Sequence, residues 1–283
     1  MIRKTLLFRN LVDNIPKNVG LYSVGILLLI ISGYAFDAVE MILGLVAFII
    51  SYSSVYVLND IFDISEDEGD LSKRMRKPLA LGSAEKPEAV VICVVFLLAG
   101  LTLSLFQNLL FFGAVSVLII INALYSIPIL VPSKTQPAPY ETDNQDPRSL
   151  KHTIAGLPLV FVMQFLKILL PWTLTTELTK FPFLFACGFS LTYLVIFKGY
   201  KANYTIGESI IHEAQLFGAA VILFALSMLI HQEPVLQASV FLYLLAGIAL
   251  FRSLCLVDKK VILLSPIYIL LGIIILYCLV LFL

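Results

Sequence analysis

The sequence predicts an all-α membrane protein with nine transmembrane helices and a cytoplasmic N-terminus. Three observations carry that expectation. Of its 283 residues, 60% are hydrophobic and only 13% charged, where soluble domains carry roughly a quarter charged residues. Apolar stretches of helix length recur nine times along the chain. Lysines and arginines fall almost entirely in alternate connections between those stretches.

The apolar stretches lie at about 19–36, 41–58, 89–107, 109–131, 153–173, 181–197, 214–231, 235–256 and 261–283. Several are close to the minimum for crossing a hydrocarbon layer about 30 Å thick. The N-terminal segment, basic from Arg3 to Lys17, is followed by no small-residue cleavage site. The first apolar run is therefore read as a retained helix and not as a signal peptide.

With the N-terminus inside, sixteen basic residues face the cytoplasm: Arg3, Lys4, Arg9, Lys17, Lys73, Arg74, Arg76, Lys77, Lys86, Lys134, Arg148, Lys151, Lys198, Lys201, Lys259 and Lys260. Lys180 alone lies in an outer connection, with Arg252 and Lys167 inside spans. That asymmetry fixes the orientation and supports the count, because one missed helix would put the later clusters on the wrong side. The long connections, at about 59–88, 132–152 and 198–213, are also all inner. Most polar chemistry is thus gathered at the cytoplasmic mouth of a single helical bundle spanning 1–283.

Several function classes drop out. A formal charge of zero argues against a nucleic-acid partner. Cys93, Cys187, Cys255 and Cys278 sit far apart inside apolar runs, which indicates neither a disulfide framework nor a zinc site. No nucleophile–base triad, Rossmann glycine pattern, Walker A segment or transporter-like repeat is visible.

What stands out is Asn59-Asp60-Ile61-Phe62-Asp63-Ile64-Ser65-Glu66-Asp67, at the inner end of the second span. At about 100° per residue, Asn59, Asp60, Asp63 and Asp67 fall within about 100° of one another on a helix. Carboxylates held that close repel unless a cation lies between them, and hard oxygen ligands suit Mg²⁺ bound to a diphosphate. Acids at a membrane edge are costly enough that function is the default reading. Directly downstream, Ser72-Lys73-Arg74-Met75-Arg76-Lys77-Pro78 supplies four cations able to fold back over a metal-bound anion. By itself such a loop is more simply a lipid-headgroup contact. Behind an acidic cluster it reads as half of a metal–diphosphate clamp.

The acidic run and its Lys/Arg-rich, Pro-containing sequel resemble the first aspartate-rich motif of the UbiA superfamily of intramembrane prenyltransferases. Pro16-Lys17-Asn18 resembles that family's Arg-Pro-x-Asn, with Ile15 in place of Arg. Leu124-Tyr125-Ser126-Ile127-Pro128 resembles its Leu-Tyr-Ser-x-Pro, and Arg148-Ser149-Leu150-Lys151 its Arg-x-Lys, displaced by an insert at about 131–150. The resemblance implies a nine-helix bundle with Mg²⁺ as cofactor. Asn59, Asp60, Asp63 and Asp67 would bind the metal; Lys73, Arg74, Arg76, Lys77, Asn18 and Tyr125 would bind substrate.

One departure matters. Where the family carries a second acidic motif, this chain reads Phe197-Lys198-Gly199-Tyr200-Lys201-Ala202-Asn203, without an aspartate. Lys198 and Lys201 could neutralise the diphosphate in place of a second metal. Glu208 and His212, four apart on one helix face, could supply late ligands. Or the second site is lost. Lys198 and Tyr200 also resemble the family branch that transfers phosphoribose to a polyprenyl phosphate.

Other residues admit two readings. Gln164 and Lys167 share a face within the fifth span, lining a substrate cavity or bonding neighbouring helices. Asn122 and Tyr125 carry the same ambiguity. Tyr52 and Tyr56 flank the cavity or anchor at the interface, and Trp172 reads as an interfacial anchor. The expectation is a multi-pass enzyme moving a prenyl group from an isoprenyl diphosphate to an unidentified acceptor, with its active site on the cytoplasmic side. Phosphoribosyl transfer, isoprenoid cyclisation and a non-catalytic lipid-binding protein are the rivals.

Overall fold

The computed structural model describes residues 2–69, 74, 77–126, 147–201 and 218–227, with single positions between 238 and 275. Among the described residues the chain is helical without a strand. In order they form α1 (Ile2–Ile31), α2 (Ala38–Phe62), α3 (Ile64–Gly69), α4 (Lys86–Gln107), α5 (Leu109–Ser126) and α6 (Pro147–Leu169). Two 3₁₀ turns, Leu170–Leu174 and Leu178–Lys180, then lead to α7 (Phe183–Lys201). A further apolar helix, α8, covers Gly218–Ser227.

Among the described residues, three helices are long and apolar enough to cross a membrane: α2, α4 and α5. Shorter apolar segments at Asn18–Ile30, Pro158–Leu174, Phe183–Leu194 and Gly218–Ser227 coincide with four more of the expected spans. Two boundaries differ from expectation. α1 begins at Ile2 and not near residue 19, because the basic segment contains no glycine and only Pro16 interrupts its hydrogen-bond ladder. α6 begins at Pro147, inside the expected insert, with the proline in the first turn where its missing N–H costs nothing. The rest of the insert lies outside the described residues.

The chain divides into two compact units, Met1–Ile15 with Val46–Met163, and Pro16–Leu45 with Gln164–Leu283. In the first, α4 and α5 form a tight helical hairpin. Asn108 is the single residue between them. Its side-chain oxygen accepts the Phe111 N–H at 2.7 Å and its carbonyl accepts the Phe112 N–H at 3.0 Å, so one residue ends one helix and caps the next. Large apolar side chains on this hairpin, among them Val91, Leu98, Phe106 and Leu109, are exposed as a lipid-facing surface would be.

α2 is the more buried helix, and it meets α4 through small residues. A Cβ added at Gly100 would come within 2.5 Å of the Ser51 Cα, so the two backbones touch. Along this seam the hydroxyls of Ser51 and Ser104 donate to the carbonyls four residues back, each at 2.8 Å. The Cys93 thiol donates to the Ser54 carbonyl at 3.3 Å. Back-bonding of this kind satisfies a polar group where water is absent.

The second unit is built around Trp172. Its indole N–H donates to the Gly25 carbonyl at 3.0 Å, and Gly25 permits the approach because a Cβ there would meet the Pro171 ring at 2.9 Å. Tyr34 and Phe181 pack edge-on at 5.8 and 5.3 Å from the indole. Trp172 is fully buried, which corrects the interfacial-anchor reading: its polar end is satisfied by a carbonyl inside the protein and not by the water interface. Elsewhere in this unit Phe224 packs edge-on to Phe185 at 4.8 Å, over Gly188. Tyr243 and Tyr268 stack at 4.3 Å, each hydroxyl donating to the other's carbonyl.

Candidate active site

The acidic run closes α2 and forms α3. Asp63 lies at the break between them, yet the helical ladder persists across it: the Asp63 N–H donates to the Asn59 carbonyl at 2.9 Å and the Asp67 N–H to the Asp63 carbonyl at 2.8 Å. The common face expected from a continuous helix therefore survives the bend. Asp60 and Asp67 are buried, while the side chain of Asp63 keeps 46% of its surface.

Among the described residues, one cation gathers the three acids. The Lys77 ammonium lies 3.2 Å from Asp60, 3.9 Å from Asp63 and 2.5 Å from Asp67. Its position is set by the turn that follows. The Leu81 N–H donates to the Lys77 carbonyl at 3.0 Å, and both Ser83 and Ala84 N–H groups donate to that of Pro78, at 3.0 and 3.2 Å. Gly82 closes the turn at φ +70°, a conformation glycine adopts freely. Leu79 is buried against Val57 and Ala89, with Ile61, Ile64 and Phe96 around them. The packing of Leu79 thus holds Lys77 where its side chain spans all three carboxylates.

Burial pushes the Lys77 ammonium's pKa down, but Asp60 and Asp67 together outweigh it and raise the value above the ordinary 10.5. Among the described residues, three carboxylates face one ammonium at the site. Among the described residues no three acidic, histidine or cysteine side chains stand close enough to hold an ion as they are. The donor chemistry fits a hard divalent ion all the same. The acids already converge on one positive charge, with oxygen ligands only and a half-exposed member.

The buried side of the site is tied to α5. The Ser126 hydroxyl donates to the side-chain oxygen of Asn59 and lies 2.7 Å from the Asn122 carbonyl. The Asn122 amide N–H donates to the Tyr52 hydroxyl, which in turn donates to the Met163 sulfur at 3.9 Å. Tyr52 is buried against Phe48 and Tyr56 at 5.5 and 5.3 Å, so it serves this interior ladder and not an interface. Sequence reading paired neither Ser126 with Asn59 nor Asn122 with Tyr52. The signal was present only as Ser126 inside the Leu-Tyr-Ser-x-Pro resemblance.

The remaining expected site residues are distributed as follows. Tyr125 is half-buried one residue before the end of α5, and Arg74 is exposed. Asn18 is buried in the second unit, as are Gln164 and Lys167. Lys198 and Lys201 lie on the last turn of α7. Lys73, Arg76, Glu208 and His212 lie outside the described residues.

Residues 20–141 match the UbiA prenyltransferase family. No curated protein matches the sequence. Among solved structures, the chain resembles a UbiA homologue from Archaeoglobus fulgidus bound to DMAPP and Mg²⁺, at 17% identity and TM-score 0.64, over 95% of this chain and 97% of that one. The same homologue bound to GPP and Mg²⁺ gives 16% identity and TM-score 0.64 over 95% and 98%. A structure of digeranylgeranylglyceryl phosphate synthase gives 18% identity and TM-score 0.54, over 98% of this chain and 95% of that one. At these identities the structural likeness speaks for the fold. The sequence match spans the acidic run and α5, and the fold is shared along nearly the whole chain: residues 20–141 resemble the UbiA prenyltransferase family within a UbiA-like fold.

Proposed function

We propose that the protein is a Mg²⁺-dependent intramembrane prenyltransferase that takes an isoprenyl diphosphate as donor and passes its prenyl group to an acceptor. The observation carrying this reading is the convergence of Asp60, Asp63 and Asp67 on a single positive charge where a long apolar helix ends. The A. fulgidus homologue bound to DMAPP or GPP with Mg²⁺ supports the choice of donor.

Asn59, Asp60, Asp63 and Asp67 hold the metal, which when bound neutralises charge on the departing diphosphate. Lys73, Arg74, Arg76 and Lys77 contact the diphosphate oxygens, with Lys198 and Lys201 acting where the family's second acidic motif is absent. Asn18 and Tyr125 bind substrate. The bond between the allylic carbon and the diphosphate oxygen breaks with its electron pair leaving on oxygen; the cation is then captured by the acceptor. The basic residues stabilise the charge that builds on the leaving group, and the apolar helices exclude water from the cation. The chain forms one domain of nine membrane helices with its N-terminus and active site on the cytoplasmic side, carrying an insert at about 131–150.

Purified protein in detergent, given labelled geranylgeranyl diphosphate and Mg²⁺, is expected to release diphosphate. Silence across donor lengths and acceptors overturns the proposal. Turnover instead of phosphoribosyl diphosphate with a polyprenyl phosphate would reassign the donor.

A further inference from the structure

We propose that Lys77 is a resident counter-ion of the acidic site, displaced by the metal and then received by the diphosphate, so that the two ligands promote each other's binding. This rests on the metal reading above and assigns a regulation of that same site. The Lys77 Nζ lies 3.2 Å from Asp60, 3.9 Å from Asp63 and 2.5 Å from Asp67. Mg²⁺ would need oxygens of the same carboxylates at about 2.0–2.1 Å. An ammonium and a divalent cation cannot share that space, because like charges a few ångströms apart repel strongly where water is sparse. Asp60 and Asp67 are both buried. The spacing of the acids also suits the ammonium. Among the described residues no three acidic, histidine or cysteine side chains stand close enough to hold an ion. The carboxylates are thus spread around Lys77 and must draw together when a metal replaces it.

Two features let Lys77 give way while the frame of the site stays put. The turn after it is held by Leu79 packing on Val57 and Ala89. Its side chain keeps 23% of its surface, so the ammonium has an open side. Lysine is a point charge on a flexible stem and changes partners more readily than a planar guanidinium. Metal binding alone strips the ammonium of its carboxylates. A diphosphate offers it a new anion, which removes that penalty. Each ligand then raises the other's affinity by the same factor. If Lys77 were only a structural strut, metal affinity in the folded protein would not rise on its removal.

The test uses the full-length protein in detergent. Mn²⁺ binding without any diphosphate is read from the free-Mn²⁺ electron paramagnetic resonance signal. Binding of labelled inorganic pyrophosphate at saturating Mg²⁺ is read by equilibrium dialysis. Lys77→Met is expected to bind Mn²⁺ about 10- to 100-fold more tightly than the parent, yet to bind pyrophosphate about tenfold more weakly. Lys77→Arg, which keeps the charge, should hold Mn²⁺ to within about threefold of the parent. A folded Lys77→Met protein with equal or weaker Mn²⁺ affinity overturns the proposal. Should that variant not fold, acetic anhydride labelling of the parent decides, read at Lys77 by peptide mass spectrometry. Labelling should rise with saturating Mn²⁺ and fall again when pyrophosphate is added; labelling indifferent to Mn²⁺ overturns the proposal. If neither parent nor variant takes up Mn²⁺, and Mg²⁺ does not promote pyrophosphate binding, the metal reading itself falls, which separates the two failures.

Discussion

Replacing Lys77 with Met keeps a long, flexible side chain and removes the charge. Asp60 and Asp67 retain only 7% and 2% of their side-chain surface and would be left buried without the ammonium. Breaking a buried ion pair from one side costs about 3–5 kcal/mol. The low end applies, because half-exposed Asp63 gives water a route to the site. A loss of about 3 kcal/mol corresponds to a melting temperature lower by roughly 6–12 °C, at about 2–4 °C per kcal/mol. Mg²⁺ should offset it: an ion at about 100 times its dissociation constant stabilises by about 2.7 kcal/mol, and the variant has no ammonium for the ion to displace. The assay is thermal unfolding of parent and variant in the same detergent, with and without MgCl₂. Equal melting temperatures, or equal Mg²⁺ shifts in both proteins, would refute the reasoning. The pH dependence has a fixed sign. The folded Lys77 value is raised above 10.5, so its contribution is whole below about 10.5 and fades as pH climbs through the higher folded value. The gap between parent and variant should hold level from about pH 7 to 9.

Three further outcomes are expected. Asp63→Asn should abolish diphosphate release while leaving the melting temperature near the parent's, because its side chain is half exposed; retained turnover would remove it from the metal site. Gly100→Val should force α4 away from Ser51 and cost about 1–3 kcal/mol, read as a lower melting temperature; an unshifted melt would mean that the seam accommodates the side chain. Lys198→Ala should weaken pyrophosphate binding by about 2 kcal/mol, roughly 30-fold, in an isothermal titration; unaltered affinity would remove it from the diphosphate site.

Much of the site was legible in the sequence because helical periodicity is a local property. Asp60, Asp63 and Asp67 share a face from spacing alone and meet at Lys77, while the Asn59 side chain accepts from Ser126. The hairpin at Asn108 was legible for the same reason, since both apolar runs stop at it. What could not be read depends on contacts distant along the chain. Four adjacent cations look equivalent in the sequence, and nothing in their spacing shows that the turn after Lys77 is held by Leu79 packing on Val57 and Ala89. Trp172 near the end of an apolar run looked interfacial, until Gly25, 147 residues away, supplied its acceptor. Ser126 and Asn59 are 67 positions apart, and no periodicity links them.

The apolar anchor beneath Lys77 bears on how the site can change hands. Leu79 pins the backbone, so the ammonium hangs on a tether of rotatable bonds rooted in a fixed point. Handing the acids from lysine to an arriving ion then asks for side-chain rotation and the exchange of its ion pairs, while the backbone at Leu79 stays where its packing holds it.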